Sequence, residues 1–201
     1  MVRPVSTRSQ RNRTRIAQVA ARLIAEHGLT DWSSAKRKAC RQLGLPPDEA
    51  LPANDDIEQA LREYNSLFQP AAQAASLHAQ RVEALRWMVR LAEWDPLLVG
   101  GVAAGWATPH NEIRIELEAH DPKAVELQLV NAGTAYTGVT ASGDAATGTQ
   151  LRLESPGFSV RLVVLTPQQR RNRPRRDADE RLTAADVRRL LDTEAGNVPE
   201  R

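Results

Sequence analysis

The sequence has little cysteine, little aromatic character and no long hydrophobic run, and each shortage removes a class of architecture. Cys40 is the single cysteine among 201 residues, which excludes an internal disulfide framework and fits a reducing compartment, with the cytoplasm as the expected location. Aromatic residues are only 4% of the chain, so a core has to be assembled from aliphatic side chains. Nothing approaches the run of about 18 apolar residues that a membrane span requires, and no membrane partner is expected. Arg3, Arg8, Arg11, Arg13 and Arg15 interrupt the first residues, unlike the apolar stretch of a secretory signal. With hydrophobic residues at 41% and charged residues at 26%, what remains reads as a soluble globular protein.

Neither charge sign dominates overall, yet the signs are segregated. Residues 1–41 carry ten Lys/Arg against Glu26 and Asp31, a net of +8, and residues 42–169 carry eight against sixteen acids, a net of −8. Residues 170–201 return to +2, with five arginines in the run RRNRPRR at 170–176. A basic end of this kind meets an anion, which can be RNA, an acidic protein or the acidic middle of the same chain. Arg11, Arg13, Arg15, Arg170, Arg171, Arg173, Arg175 and Arg176 are the candidate nucleic-acid contacts.

Periodicity divides the chain into a lead over 1–8 expected to be disordered, a helical module over 9–94, an α/β module over 96–166, and an Arg-rich linker with a short helix over 167–201. Ile16, Val19, Ala20, Leu23 and Ile24 recur at helical spacing until Gly28. Asp31 or Ser33 can cap a second helix running to about Leu43. Asp55 and Glu58 have capping-box spacing before a third helix. Pro70 opens a fourth, with Ala75, Leu77, Val82, Leu85, Met88 and Leu91 as its expected apolar face. Beyond Asp95-Pro96 the pattern changes to strands at 97–99, 112–118, 135–141, 149–154 and 158–165, with a helix from Pro122 to Gly133. Ser155-Pro156-Gly157 is the turn of a hairpin, and Thr183 caps a helix near 183–192. The expected class is α+β, with a mixed sheet.

Residues 97–118 carry the most chemistry. Gly100-Gly101 follows a strand, where the backbone can turn tightly and free N–H groups can face a phosphate. Residues 112–118 (EIRIELE) alternate, with Ile113, Ile115 and Leu117 on one face and Glu112, Arg114, Glu116 and Glu118 on the other. Opposite Arg152, Glu154 and Arg161, this polar face makes a cross-strand ion-pair ladder. A second reading is an anion pocket in which Arg114 and Arg161 take a phosphate beside the glycine turn. Trp106, in the small-residue segment between, either packs or stacks on a base. His110 and His120 lack metal-pair spacing and read as solvated loop residues, and Cys40 reads as an inert thiol.

The segment LVGGVAAGWATPHNEIRIEL resembles the signature of the nucleotidyltransferase superfamily of the polymerase-β type, an apolar residue with two small residues and, about ten residues on, Asp-apolar-Asp-apolar. Gly100, Gly101 and Gly105 match its glycines, and Ile113 and Ile115 its apolar positions. The wider chain resembles a bacterial family of nucleotidyltransferase-fold proteins with a helical N-terminal region. Ala35-Lys36-Arg37-Lys38-Ala39, Arg41-Gln42-Leu43-Gly44, IEQALREYNSLFQ and DPKAVELQLVNAG carry that resemblance, which covers about 10–165. It implies a helical module packed with a nucleotidyltransferase-like sheet module, and a nucleotide as ligand.

The departures from that signature bear on activity. Glu112 stands where the first catalytic aspartate belongs and Arg114 where the second does; Arg161 is the best match to the third carboxylate. An arginine stays protonated and has no lone pair for a cation. The resemblance therefore implies a catalytically impaired relative, a pseudoenzyme that binds nucleotide, RNA or protein. The alternative is a working Mg²⁺-dependent transferase using Glu112, since Glu116 shares its face but lies about 13 Å along the strand. A third reading is nucleic-acid binding through the Arg-rich ends. The opening helices also look like those of a TetR-type repressor, but Pro46-Pro47 and the acids through Asp56 occupy the place of a recognition helix.

Overall fold

The computed structural model describes residues 7–27, 29, 31–68, 70–139, 148–155, 157–173 and 180–196. The chain is α+β, and its contacts divide it into two units. One holds the residues up to Ser76 with Trp106–Asn111; the other holds Leu77–Gly105 and everything from Glu112 onward. Gly28, Pro156, Arg175 and Arg176, which figure in the sequence reading, lie outside the described residues.

The first unit is helical. Helix α1 (Thr7–His27) packs against α2 (Trp32–Gln42) and α3 (Asn54–Phe68). Ile16, Ala20, Leu23 and Ile24 are buried on α1, Ala35 and Ala39 on α2, and Ile57 and Leu61 on α3, so the helical spacing read for α1 marks its packed face, with Val19 half-buried at its margin. Asp31 caps α2, accepting from the N–H groups of Ser33 and Ser34 at 3.0 and 3.2 Å. At α3 the expected Asp55–Glu58 box does not form. The helix starts one residue earlier, and the Asp56 carboxylate reaches back to the Ala53 N–H at 2.8 Å. Lys36 is buried and donates to the Pro52 carbonyl at 2.6 Å and to Asn54 Oδ1 at 2.8 Å, pinning the segment before α3. Burial pulls its pKa down, and Asp56 partly restores it.

Helix α4 (Pro70–Arg90) departs from the expected face. Its buried positions in the second unit are Leu77, Gln80, Arg81, Glu83, Ala84, Trp87 and Met88, continued by Leu91, at spacings of three and four. Of the expected face, Leu77, Met88 and Leu91 are buried, whereas Ala75 and Val82 are exposed and Leu85 is half-buried. The apolar count over this helix is high enough to support two stripes, and Trp87 decides between them because it is the largest side chain to bury. A 3₁₀ turn (Ala92–Trp94) and Asp95 at φ 43° lead to Pro96 and the sheet.

The second unit is built on a six-stranded mixed sheet of β1 (Leu97–Val99), β2 (Ile113–Glu118), β3 (Tyr136–Val139), β4 (Thr149–Ser155), β5 (Phe158–Leu165) and β6 (Arg181–Leu182). Spatial order is β3-β4-β5-β2-β1-β6. Only β2 and β5 pair in parallel; the other neighbours are antiparallel. Ile113, Ile115, Leu117, Val160, Leu162, Val164, Leu151 and Leu153 make one face a closed aliphatic layer, each side chain contributing about 1.5–3 kcal/mol by burial. Between these strands run α5 (Gly101–Ala104) and α6 (Pro122–Asn131, capped by Asp121). After β5 come α7 (Pro167–Asn172) and, past β6, α8 (Ala184–Gly196).

Candidate functional site

The site grows out of the turn after β1. Gly100 has φ 73° and ψ −154°, a conformation essentially reserved for glycine. It turns the chain into α5, whose Ala104 N–H reaches the Gly100 carbonyl at 2.9 Å. A Cβ placed on Gly100 would sit 3.6 Å from the Arg114 Cδ, so the Arg114 stem runs beside the turn.

Sheet register then aligns basic residues. Thr137, Arg152, Arg161, Arg114, Val99 and Arg181 are successive partners across all six strands. Neighbouring strands lie about 4.8 Å apart, so like charges facing one another across the row repel. Glu112 relieves part of this. Its Oε1 meets Arg152 Nη2 at 2.7 Å, and its Oε2 takes Arg161 Nη2 at 2.6 Å and Nε at 2.7 Å. Arg161 Nη1 donates to Gln150 Oε1 at 3.0 Å, which commits its whole fork. The ion-pair ladder therefore exists between Glu112 and the two arginines of β4 and β5.

Arg114 is placed differently. Its guanidinium makes no ion pair or hydrogen bond to an acid among the described residues, although it is exposed and lies between Arg161 and Arg173. Desolvation lowers its pKa most, followed by repulsion from Arg173 and Arg161; Glu116 and Glu112 oppose the shift. The residue as a whole is exposed, yet its charged end is crowded enough by protein for desolvation to be the largest effect. The group stays a cation at any ordinary pH.

The next carboxylate on this face is not solvated, as alternation alone would have it. Glu116 is 1% exposed. Its Oε1 pairs with Arg173, and its Oε2 accepts no hydrogen bond from the protein. Glu118 pairs with Arg170 at 3.5 Å, and Arg170 also donates to the Asp95 carbonyl at 3.0 Å. Helix α7 and the residue after it thus carry two of the tail arginines onto the acidic end of β2. Around the row, Arg114, Arg152, Arg161, Arg170 and Arg173 outnumber Glu112, Glu116 and Glu118. What this cluster can do chemically is hold an anion. Both oxygens of Glu112 are already taken by guanidinium groups, and among the described residues no group of three or more His, Cys, Asp or Glu could hold a metal ion.

The structure does not bring every candidate together. Trp106 is buried against Trp32 with ring centroids 5.1 Å apart, in the helical unit. His110 and His120 are exposed, and Cys40 is a buried free thiol. Arg11 and Arg15 are exposed, Arg13 is half-buried, and Arg171 is exposed. The partnership of Glu116 with Arg173 had no signal in the sequence, because its two residues lie on elements whose meeting depends on how α7 leaves β5. Arg152 also lines a cavity of about 360 Å³ with Trp87, Arg90, Tyr136 and Glu83, where the Arg90 guanidinium lies over the Trp87 ring at 5.2 Å.

No helix among the described residues is long and apolar enough to cross a membrane. No protein-family model matches the chain, and no curated protein matches it in sequence.

Proposed function

We propose that this chain is a nucleotidyltransferase-fold protein of the cytoplasm that binds the phosphate groups of a nucleotide with arginine and has lost metal-dependent transfer. The observation that carries this reading is Arg114, an exposed residue whose guanidinium makes no ion pair among the described residues, near Arg161 and Arg173 and with its stem beside the Gly100 turn. A phosphate charge about 4 Å from a guanidinium gains about 4 kcal/mol at an effective dielectric near 20, and attraction to Arg161 and Arg173 adds to that pair energy. Two further features support it. The order strand, glycine pair, short helix, alternating strand follows the superfamily's signature. The positions matching its three carboxylates, Glu112, Arg114 and Arg161, also lie together, since Arg114 and Arg161 are register partners on parallel strands and Glu112 reaches Arg161.

Chemically, Arg114 offers several N–H donors to phosphate oxygens and a fixed charge. A divalent cation in the same place would have to displace both guanidiniums from Glu112 and tolerate Arg114 alongside. Titration calorimetry with ATP in the presence of EDTA tests the proposal: binding persists on chelation and falls at least tenfold in Arg114→Ala. Incorporation of labelled nucleotide with Mg²⁺ or Mn²⁺ that disappears in Glu112→Gln would overturn it in favour of a working transferase.

A further inference from the structure

Helix α1 carries a second basic surface, in the helical unit and independent of the Gly100 site. Arg8, Arg11, Arg15 and Arg22 are all exposed. Their spacings of three, four and seven residues put them, with exposed Gln18, on one stripe of the helix. The buried residues Ile16, Ala20, Ala21, Leu23 and Ile24 occupy the opposite side, so the stripe is not used in packing. None of the four arginines forms an ion pair with an acid among the described residues. The stripe ends at Glu26, which accepts the Tyr64 hydroxyl at 2.7 Å. The tail arginines differ, since Arg170 and Arg173 are spent on Glu118 and Glu116. Arg13 sits off the stripe and is half-buried.

We propose that this stripe docks double-stranded nucleic acid through its phosphates. Arg8 to Arg22 spans about 21 Å of a straight helix, a line of cations that can follow one duplex face, where charge is dense at about one per 1.7 Å of axis. Duplex is favoured over single strands because the exposed face of α1 has no aromatic residue on which an unpaired base could stack. The side chains are arginine with one glutamine, which positions the helix on the backbone without reading sequence.

The test is fluorescence anisotropy with a labelled 20-base-pair DNA duplex, the matching RNA duplex, the single strands, and polyglutamate as competitor. Four phosphate contacts predict a slope of log affinity on log salt of about −3.6, a loss of about 150-fold between about 50 and 200 mM. Arg8→Gln with Arg15→Gln should halve that slope, and the fourfold glutamine variant should abolish binding with an unchanged circular dichroism spectrum. Arg188→Gln on α8 and Arg114→Ala should bind duplex as the unaltered protein does, which separates this outcome from that of the nucleotide site. A flat salt response, unchanged binding in the fourfold variant, tighter binding to single strands, or equal affinity for polyglutamate would each overturn the proposal.

Discussion

Arg114 on β2 and Glu112 just before it are two residues apart on one face of the sheet, and their surroundings give them opposite roles. Glu112 bridges Arg152 and Arg161 at 2.6–2.7 Å, while Arg114 makes no ion pair among the described residues and feels Glu112 and Glu116 only at longer range. Replacing Glu112 by Gln leaves two partly buried guanidiniums facing each other, so stability should fall by about 1–3 kcal/mol. Urea denaturation measures it, and an unchanged midpoint would show the ladder to be ornamental. Asp186 gives a residue-scale prediction with a pH sign. It accepts from the Thr183 N–H at 2.9 Å and hydroxyl at 2.6 Å, and with Arg189 these hold its pKa down to about 2. A depressed carboxylate stabilises the native α8 start fully above its ordinary 3.8, and that contribution is lost as pH falls through about 2. Carboxyl NMR titration should find the low midpoint, and one near the ordinary value would contradict it.

At the scale of elements, local signals located helices and strands well and helix faces less well. The strand ranges and the Asp31, Asp121 and Thr183 helix starts follow from alternation and from polar caps, which are short-range effects. Helix α4 shows the limit, since its sequence supports two apolar stripes and only packing chooses the one with Trp87 and Met88. That choice predicts unequal costs. Met88→Ala should cost about 2–5 kcal/mol and Val82→Ala no more than about 0.5, with thermal denaturation of the two variants as the check. Equal losses would return α4 to the other face. Helix α7, six residues long, is too short to show a helical period in the sequence. Pro167 at the first turn and the reciprocal Thr166–Gln169 cap, with bonds of 3.2 and 2.8 Å, were signals that could have found it.

For the whole molecule, the charge segregation seen along the chain resolves into two kinds of surface. Within the sheet unit, tail arginines meet the acids of β2, which is the internal pairing that composition allows. Within the helical unit, the α1 stripe keeps its charge unmatched. Binding at Arg114 should therefore protect one unit selectively. With ATP and EDTA present at ten times the dissociation constant, linkage gives about 1.4 kcal/mol of stabilisation. Hydrogen exchange should slow across the Gly100 turn, β2 and β5 while α1 to α3 exchange as before. Protection confined to α1 to α3 would put the nucleotide elsewhere.

The sequence by itself determined most of the element types, the aliphatic face of the sheet and the alternation that puts Glu112, Arg114 and Glu116 on its other face. Those follow from periodicity and side-chain chemistry, which act within a few residues. Tertiary structure decided the register that sets Arg152, Arg161 and Arg114 side by side, the burial of Glu116 under Arg173, and the packing of Trp106 on Trp32. These depend on hydrogen-bonded strand pairing and on where distant segments return, and a one-residue slip of β5 against β2 would carry Arg161 to the opposite face.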